Sequence, residues 1–167
     1  MSSSDSSPAP VVSRVARLAG YIASDALSPG DRAALRRLDP HRPPPMIWYS
    51  LLTALDWPRA EEPRALLLAS GLAMGPGTHD PKTPFGKVLA QARIAPMRIE
   101  QLLSAQGPLL DRLLLQLLRH LAHTSTLAFD WVTVYQLTSP HAETRQRAAD
   151  QVARAYFAAQ KTIKEDA

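Results

Sequence analysis

Cysteine is absent from the 167 residues. That excludes disulfides, thiol nucleophiles and cysteine-ligated zinc together, and it fits a reducing cytoplasm. Aromatic residues are few, at 6%, and β-branched runs are scarce, so a sheet has little to be built from. No apolar run approaches the roughly 20 residues a membrane-spanning helix needs. The opening MSSSDSSPAP has neither the charged start nor the apolar centre of a secretory signal. Glycine-rich phosphate loops of the GxGxxG or GxxxxGK[ST] kind are missing, which removes the common nucleotide sites. Lysine is short too: with only Lys82, Lys87, Lys161 and Lys164, the other 15 of the 19 basic residues are arginines. The expectation is a soluble, cytoplasmic chain with no membrane attachment.

What is present points to helix. Hydrophobic residues make up 46% and charged residues 20%, the proportions of an ordinary globular protein. Leu, Ala, Arg and Gln, all good helix formers, fill the periodic segments. The organising stretch is Phe85 to His123. Within it Leu109, Leu110, Leu113, Leu114, Leu117, Leu118 and Leu121 form one broad stripe at helical spacing. Ile99, Leu102 and Leu103 mark a second helix opened by Pro96, and Phe85, Val88, Leu89 and Ala92 a third. Arg93, Arg98, Arg112 and Arg119 lie off these stripes.

Elsewhere Val11, Val15, Leu18 and Ile22 define a first amphipathic helix, with Arg14 and Arg17 assigned to its outer side. Ser28-Pro29-Gly30-Asp31 reads as an N-cap, a first-position proline and an acid in the positive first turn. DPHRPPP at 39–45 breaks that helix, and Met46 to Leu55 resumes one. Pro63 opens the next, whose Gly71 weakens it by about 1 kcal/mol relative to alanine. Asp130 caps a short helix with Trp131, Val134, Tyr135 and Leu137, and Ser139-Pro140 is expected to cap a long final one. Trp48, Trp57 and Trp131 are assigned to the core. The architecture is therefore all-α, a compact multi-helix bundle of roughly eight helices. Residues 1–10 are expected to be a disordered tail. Residues 11–160 form a single domain with lobes about 11–74 and 85–160 joined by loop 75–84, and 161–167 form a C-terminal tail.

No arrangement of side chains suits catalysis, and neither a cofactor nor a metal is expected. His120 and His123 are three apart but lack an acidic partner at ligand spacing. His79-Asp80 and His41 have no nucleophile nearby in the chain. The net charge is +4, and arginine offers a planar fork of donors suited to phosphate and able to stack on bases. A GC-rich genome also favours arginine over lysine, so composition leaves nucleic acid as one of two explanations. The arginines group as Arg36/Arg37, Arg59/Arg64, Arg93/Arg98, Arg119 and Arg145/Arg147, and sequence cannot tell convergence from scatter. KVLAQARIAPMRIEQLLSA, with Arg98 and Gln101 outward, also fits a helix-turn-helix reader of duplex DNA. Against it, Glu100 would face the phosphates.

The order GDRAALRR, IWYSLL, FGKVLAQARIAPMRIEQLLSAQ, LLRHLAH, FDW and ARAYF resembles the small subunit of type I-E Cascade, the CasB family. The resemblance covers about residues 27 to 158. It implies an all-α, non-catalytic subunit present in two copies along the belly of a CRISPR RNA-guided surveillance complex. The implied partners are the backbone and large subunits, a second copy of the chain, the CRISPR RNA, and the target and non-target DNA strands. The implied role is to hold the R-loop open through basic surfaces. Carried onto matching positions, these surfaces comprise Arg37 with its neighbour Arg36, Arg64, Arg93, Arg98, Arg119, Arg145 and Arg147. Two departures are His120, where the family pattern has a second arginine, and AQGP, which lacks a basic residue. They either weaken the expected contact at this end or shift it toward Arg112.

Overall fold

The computed structural model describes residues 10–38, 42–75 and 79–167. Positions 1–9 of the expected tail at 1–10, His41 with the start of the DPHRPPP break, and positions 76–78 of the loop lie outside the described residues. Among the described residues nine α-helices follow in order: α1 (Val11–Ala23), α2 (Pro29–Arg36), α3 (Met46–Leu55), α4 (Glu62–Leu72), α5 (Phe85–Gln91), α6 (Pro96–Ser104), α7 (Gly107–Thr124), α8 (Trp131–Leu137) and α9 (Ala142–Glu165). A 3-10 turn, Arg59–Glu61, precedes α4. Among the described residues the sole β feature is a single parallel bridge between His79 and Phe129. The chain is all-α.

Local chemistry sets the boundaries. The Ser28 hydroxyl accepts from the Asp31 amide at 3.1 Å, and the Asp130 carboxylate accepts from the Val132 amide at 3.0 Å. Each satisfies an amide that the first turn of a helix leaves without a partner. Prolines stand in the first turn of α4, α6 and α7, where the missing N–H is no loss. The final helix starts later than Ser139-Pro140 suggests. Ser139 instead accepts from the His141 amide at 3.1 Å, shaping the turn ahead of α9. That helix then runs through Glu165, so positions 161–165, expected as tail, are helical and exposed.

Trp131 and Tyr135 of α8 are fully buried, and α8 packs against α1, α4, α5 and α9. Residues from both expected lobes therefore share one core. The closest helix pair is α5 and α9. A β-carbon on Gly86 would overlap the Val152 carbonyl oxygen and lie 2.8 Å from the Tyr156 amide nitrogen, so only glycine lets the two backbones approach. Gly71 has a similar reason. A β-carbon there would sit 2.8 Å from Leu118 Cδ1 and 3.0 Å from the Trp131 ring; packing outweighs propensity.

Arg14 corrects the sequence reading of α1. It is buried rather than outward, with Nη1 3.0 Å from Glu61 Oε2 and its guanidinium 5.4 Å from the Trp57 ring centre. Tyr135 donates to the same carboxylate oxygen at 2.5 Å, and Trp57 Nε1 donates to the Tyr135 hydroxyl at 3.3 Å. Burial first, and the bond to Glu61 second, push the Tyr135 phenol up to about 12. The three tryptophans are buried as expected.

Candidate nucleic-acid interface

The candidate surface lies along α7. Leu110, Leu114, Leu115, Leu118 and Leu121 are turned into the core, which leaves Arg112, Gln116, Arg119 and His120 on the opposite, exposed side. Positions 112, 116 and 119 follow the i, i+4, i+7 spacing that puts side chains on one helical face. The leucine stripe thus does two things at once: it buries one flank and fixes where the cations of the other flank must lie.

Two grooves flank this face. The larger, about 690 Å³, runs between α7 and α4, with Leu66 and Leu115 in its wall and Arg42, Arg112 and Arg119 around it. The smaller, about 300 Å³, lies between α6 and α7 and is lined by Arg98, Gln101, Gln116 and His120. Gln116 borders both, so the grooves adjoin along α7. Arg98 borders the smaller groove, and Arg112 and Arg119 border the larger one. Arg36 and Arg37 are exposed at the end of α2, just before Leu38, which borders the larger groove. No side chain of Arg36, Arg37, Arg98, Arg112 or Arg119 makes a hydrogen bond or ion pair with a described residue. Their guanidinium donors face solvent.

Arg93 is exposed and occupies the left-handed region at φ 58°. It follows α5 in a turn where its amide donates to Ala90 and the Ile94 amide donates to Leu89, at 3.0 and 3.1 Å. This is a Schellman ending, which ordinarily carries glycine at that position. An arginine here keeps a cation at the turn despite backbone strain.

The structure uses two other sequence candidates internally. Arg64 is half-buried; it donates to the Tyr135 carbonyl at 2.7 Å and to Thr138 Oγ1 at 3.2 Å, with its guanidinium 4.0 Å from the Tyr135 ring centre. Burial lowers its pKa. Arg145 donates to the carbonyls of Ser139 and Pro140 at 2.8 and 3.3 Å, closing the turn before α9. Arg147 stands 3.9 Å from Glu143, both strongly exposed, a pairing that contributes little. Arg64 and Arg145 thus serve the fold, and none of Arg64, Arg145 and Arg147 borders either of these two grooves.

The sequence reading missed Arg42, which it treated only as part of a helix-breaking run. The signal was the proline run Pro43 to Pro45, whose fixed φ angles hold the adjacent backbone in place. Arg98 and Gln101 of α6, the outward residues of the helix-turn-helix reading, are exposed and line the groove that α6 shares with α7.

A model of the family described as CRISPR-associated protein Cse2 matches residues 31–157, most of the chain. No curated protein matches it.

Proposed function

The chain belongs to the Cse2 family of CRISPR-associated proteins, the small subunits of type I-E Cascade, and from that membership we propose that it holds the displaced, non-target DNA strand of the R-loop along the outer face of α7. Its part is structural and not catalytic. The companions proposed for it are the backbone and large subunits, a second copy of itself, and the guide RNA with its paired target strand, all in the cytoplasm.

The observation that supports this reading is that Arg98 lines one of two adjoining grooves and Arg112 and Arg119 the other. A displaced strand needs its phosphates neutralised along a track and does not need its bases read. Forming an R-loop exchanges one duplex for another of nearly equal stability, so a few backbone contacts can tip the balance. Guanidinium groups on a rigid helix, without internal carboxylate partners, meet that requirement. Arg36 and Arg37 extend the track at the end of α2.

The test is R-loop lifetime in the assembled complex. Converting Arg112 and Arg119 together to Glu shortens it, while duplex recognition before strand opening is unchanged. A lifetime equal to that of the unaltered complex overturns the proposal.

A further inference from the structure

We propose that His79 is a proton-sensitive latch: as neutral imidazole it clips segment 79–83 to the start of α8, and protonation releases it. The device is independent of strand holding on α7.

The segment leading into α5 is fastened to the residues that open α8. The Asp80 amide donates to the Phe129 carbonyl at 3.0 Å, and the Asp130 amide donates to the Thr83 carbonyl at 2.8 Å. Beside them the Trp131 amide donates to His79 Nδ1 at 3.2 Å. Trp131 is the first residue of α8, so its amide is one of those a helix leaves without an internal partner. Asp130 caps the following amide, that of Val132, and His79 caps Trp131 from 52 residues away. The fastening reaches the core, because Phe129 stacks on Trp131 with ring centres 4.7 Å apart.

A ring nitrogen accepts a hydrogen bond only while it carries no proton. The bond therefore fixes His79 as the neutral tautomer with its hydrogen on Nε2. A proton added at Nδ1 would meet the Trp131 N–H, donor against donor, at the positive end of a helix. The side chain is only 7% exposed, so water is poorly placed to solvate the new charge. Two carboxylates lie near the ring, Asp130 from the start of α8 and Asp80 from its own segment, with Lys82 beside the second. Asp80 is engaged by the Thr83 hydroxyl at 2.6 Å and the Lys82 amide at 3.0 Å. Asp130 Oδ1 stands 3.9 Å from Nδ1, too far for a hydrogen bond. That same oxygen accepts from the Val132 amide at 3.0 Å, and Oδ2 accepts from Thr133 Oγ1 at 2.9 Å. Asp130 can meet an imidazolium only by leaving its cap. On either course the Trp131 amide loses its acceptor and the segment loses a tie to α8.

The experiment follows the Trp131 amide by hydrogen exchange in the full chain. It compares about pH 7.5 with about pH 5.5, on either side of an ordinary imidazole titration, with rates corrected for the intrinsic effect of pH. Protection in the unaltered protein should fall about three- to tenfold at the lower pH, the scale of one hydrogen bond. The Leu114 amide in α7 should keep its protection. His79→Asn, whose side-chain oxygen accepts without titrating, should remove the pH dependence, and His79→Ala should give low protection at both values. A nitrogen-15 spectrum of the imidazole at neutral pH should place the proton on Nε2. A proton on Nδ1, a fall of the same size in His79→Ala, or a fall shared equally by Leu114 overturns the latch.

Discussion

Tyr156 donates its hydroxyl to the carbonyl oxygen of Ile94, tying the middle of α9 to the turn that joins α5 and α6. Both residues are buried, and Gln160 completes the hydroxyl's bonding at 2.8 Å. Tyr156→Phe leaves the ring packing in place but strands a buried acceptor. The expected loss is about 1–3 kcal/mol of unfolding free energy, read from the midpoint of urea denaturation. An unchanged midpoint would mean that water replaces the phenol there.

The same turn allows a test of strain. Arg93 holds a positive φ of 58°, which costs a non-glycine residue roughly 1–2 kcal/mol. Arg93→Gly should raise stability by about 1 kcal/mol, whereas Arg93→Ala should give no comparable gain. If Arg93 also touches the strand, Arg93→Gly makes a sturdier protein that holds DNA less well. Thermal melting and R-loop lifetime, measured on one preparation, separate the two effects.

Arg64 and Arg119 should behave oppositely. Arg64 anchors α4 to the end of α8 through Tyr135 and Thr138, so Arg64→Ala is expected to remove about 1.5–3 kcal/mol of stability. Arg119 is exposed and unpaired; Arg119→Ala should change stability by no more than about 0.5 kcal/mol. Its loss should instead appear in the salt dependence of single-strand binding, lowering the slope by about 0.7 for the phosphate contact removed. A stable Arg64→Ala variant would return that residue to the surface candidates.

Alkaline pH should weaken the fold through Tyr135. Its phenol titrates at about 12 in the folded chain against an ordinary value near 10, so folding favours the protonated form. That contribution is intact below pH 10 and is lost as pH rises from 10 through 12. Urea midpoints measured from pH 9 to 12 should fall more steeply for the unaltered protein than for Tyr135→Phe. Parallel curves would show that Tyr135 ionises as freely folded as unfolded.

The helices were legible because their chemistry is local. Leu110, Leu114, Leu118 and Leu121 of α7, the Ser28 and Asp130 caps and the first-turn prolines each act within a turn or two of the chain, and the structure keeps them, although Leu109, expected in the same stripe, is exposed. What spacing could not give was the company each charge keeps. Arg14 and Arg64 look like any outward arginine until Glu61, Tyr135 and Thr138 arrive from distant segments. Gly71 reads as a weak point in α4 until Leu118 and Trp131 close over it. At the interface, the exposure of Arg98, Arg112 and Arg119 followed from the leucine stripes. Which groove each one borders depended on how α6 and α4 lie beside α7, which no single helix encodes. Arg42 entered only through the groove it borders.

The placement of Trp131 and Tyr135 has a consequence for how the chain is made. Helices α1 and α4 rest on a segment translated long after them, so a ribosome releasing the first seventy residues emits apolar faces with nothing yet to cover them. The amino-terminal half must wait, shielded or loosely collapsed, until α8 emerges. Truncating the chain before Trp131 should therefore yield an aggregating fragment and not a smaller working domain.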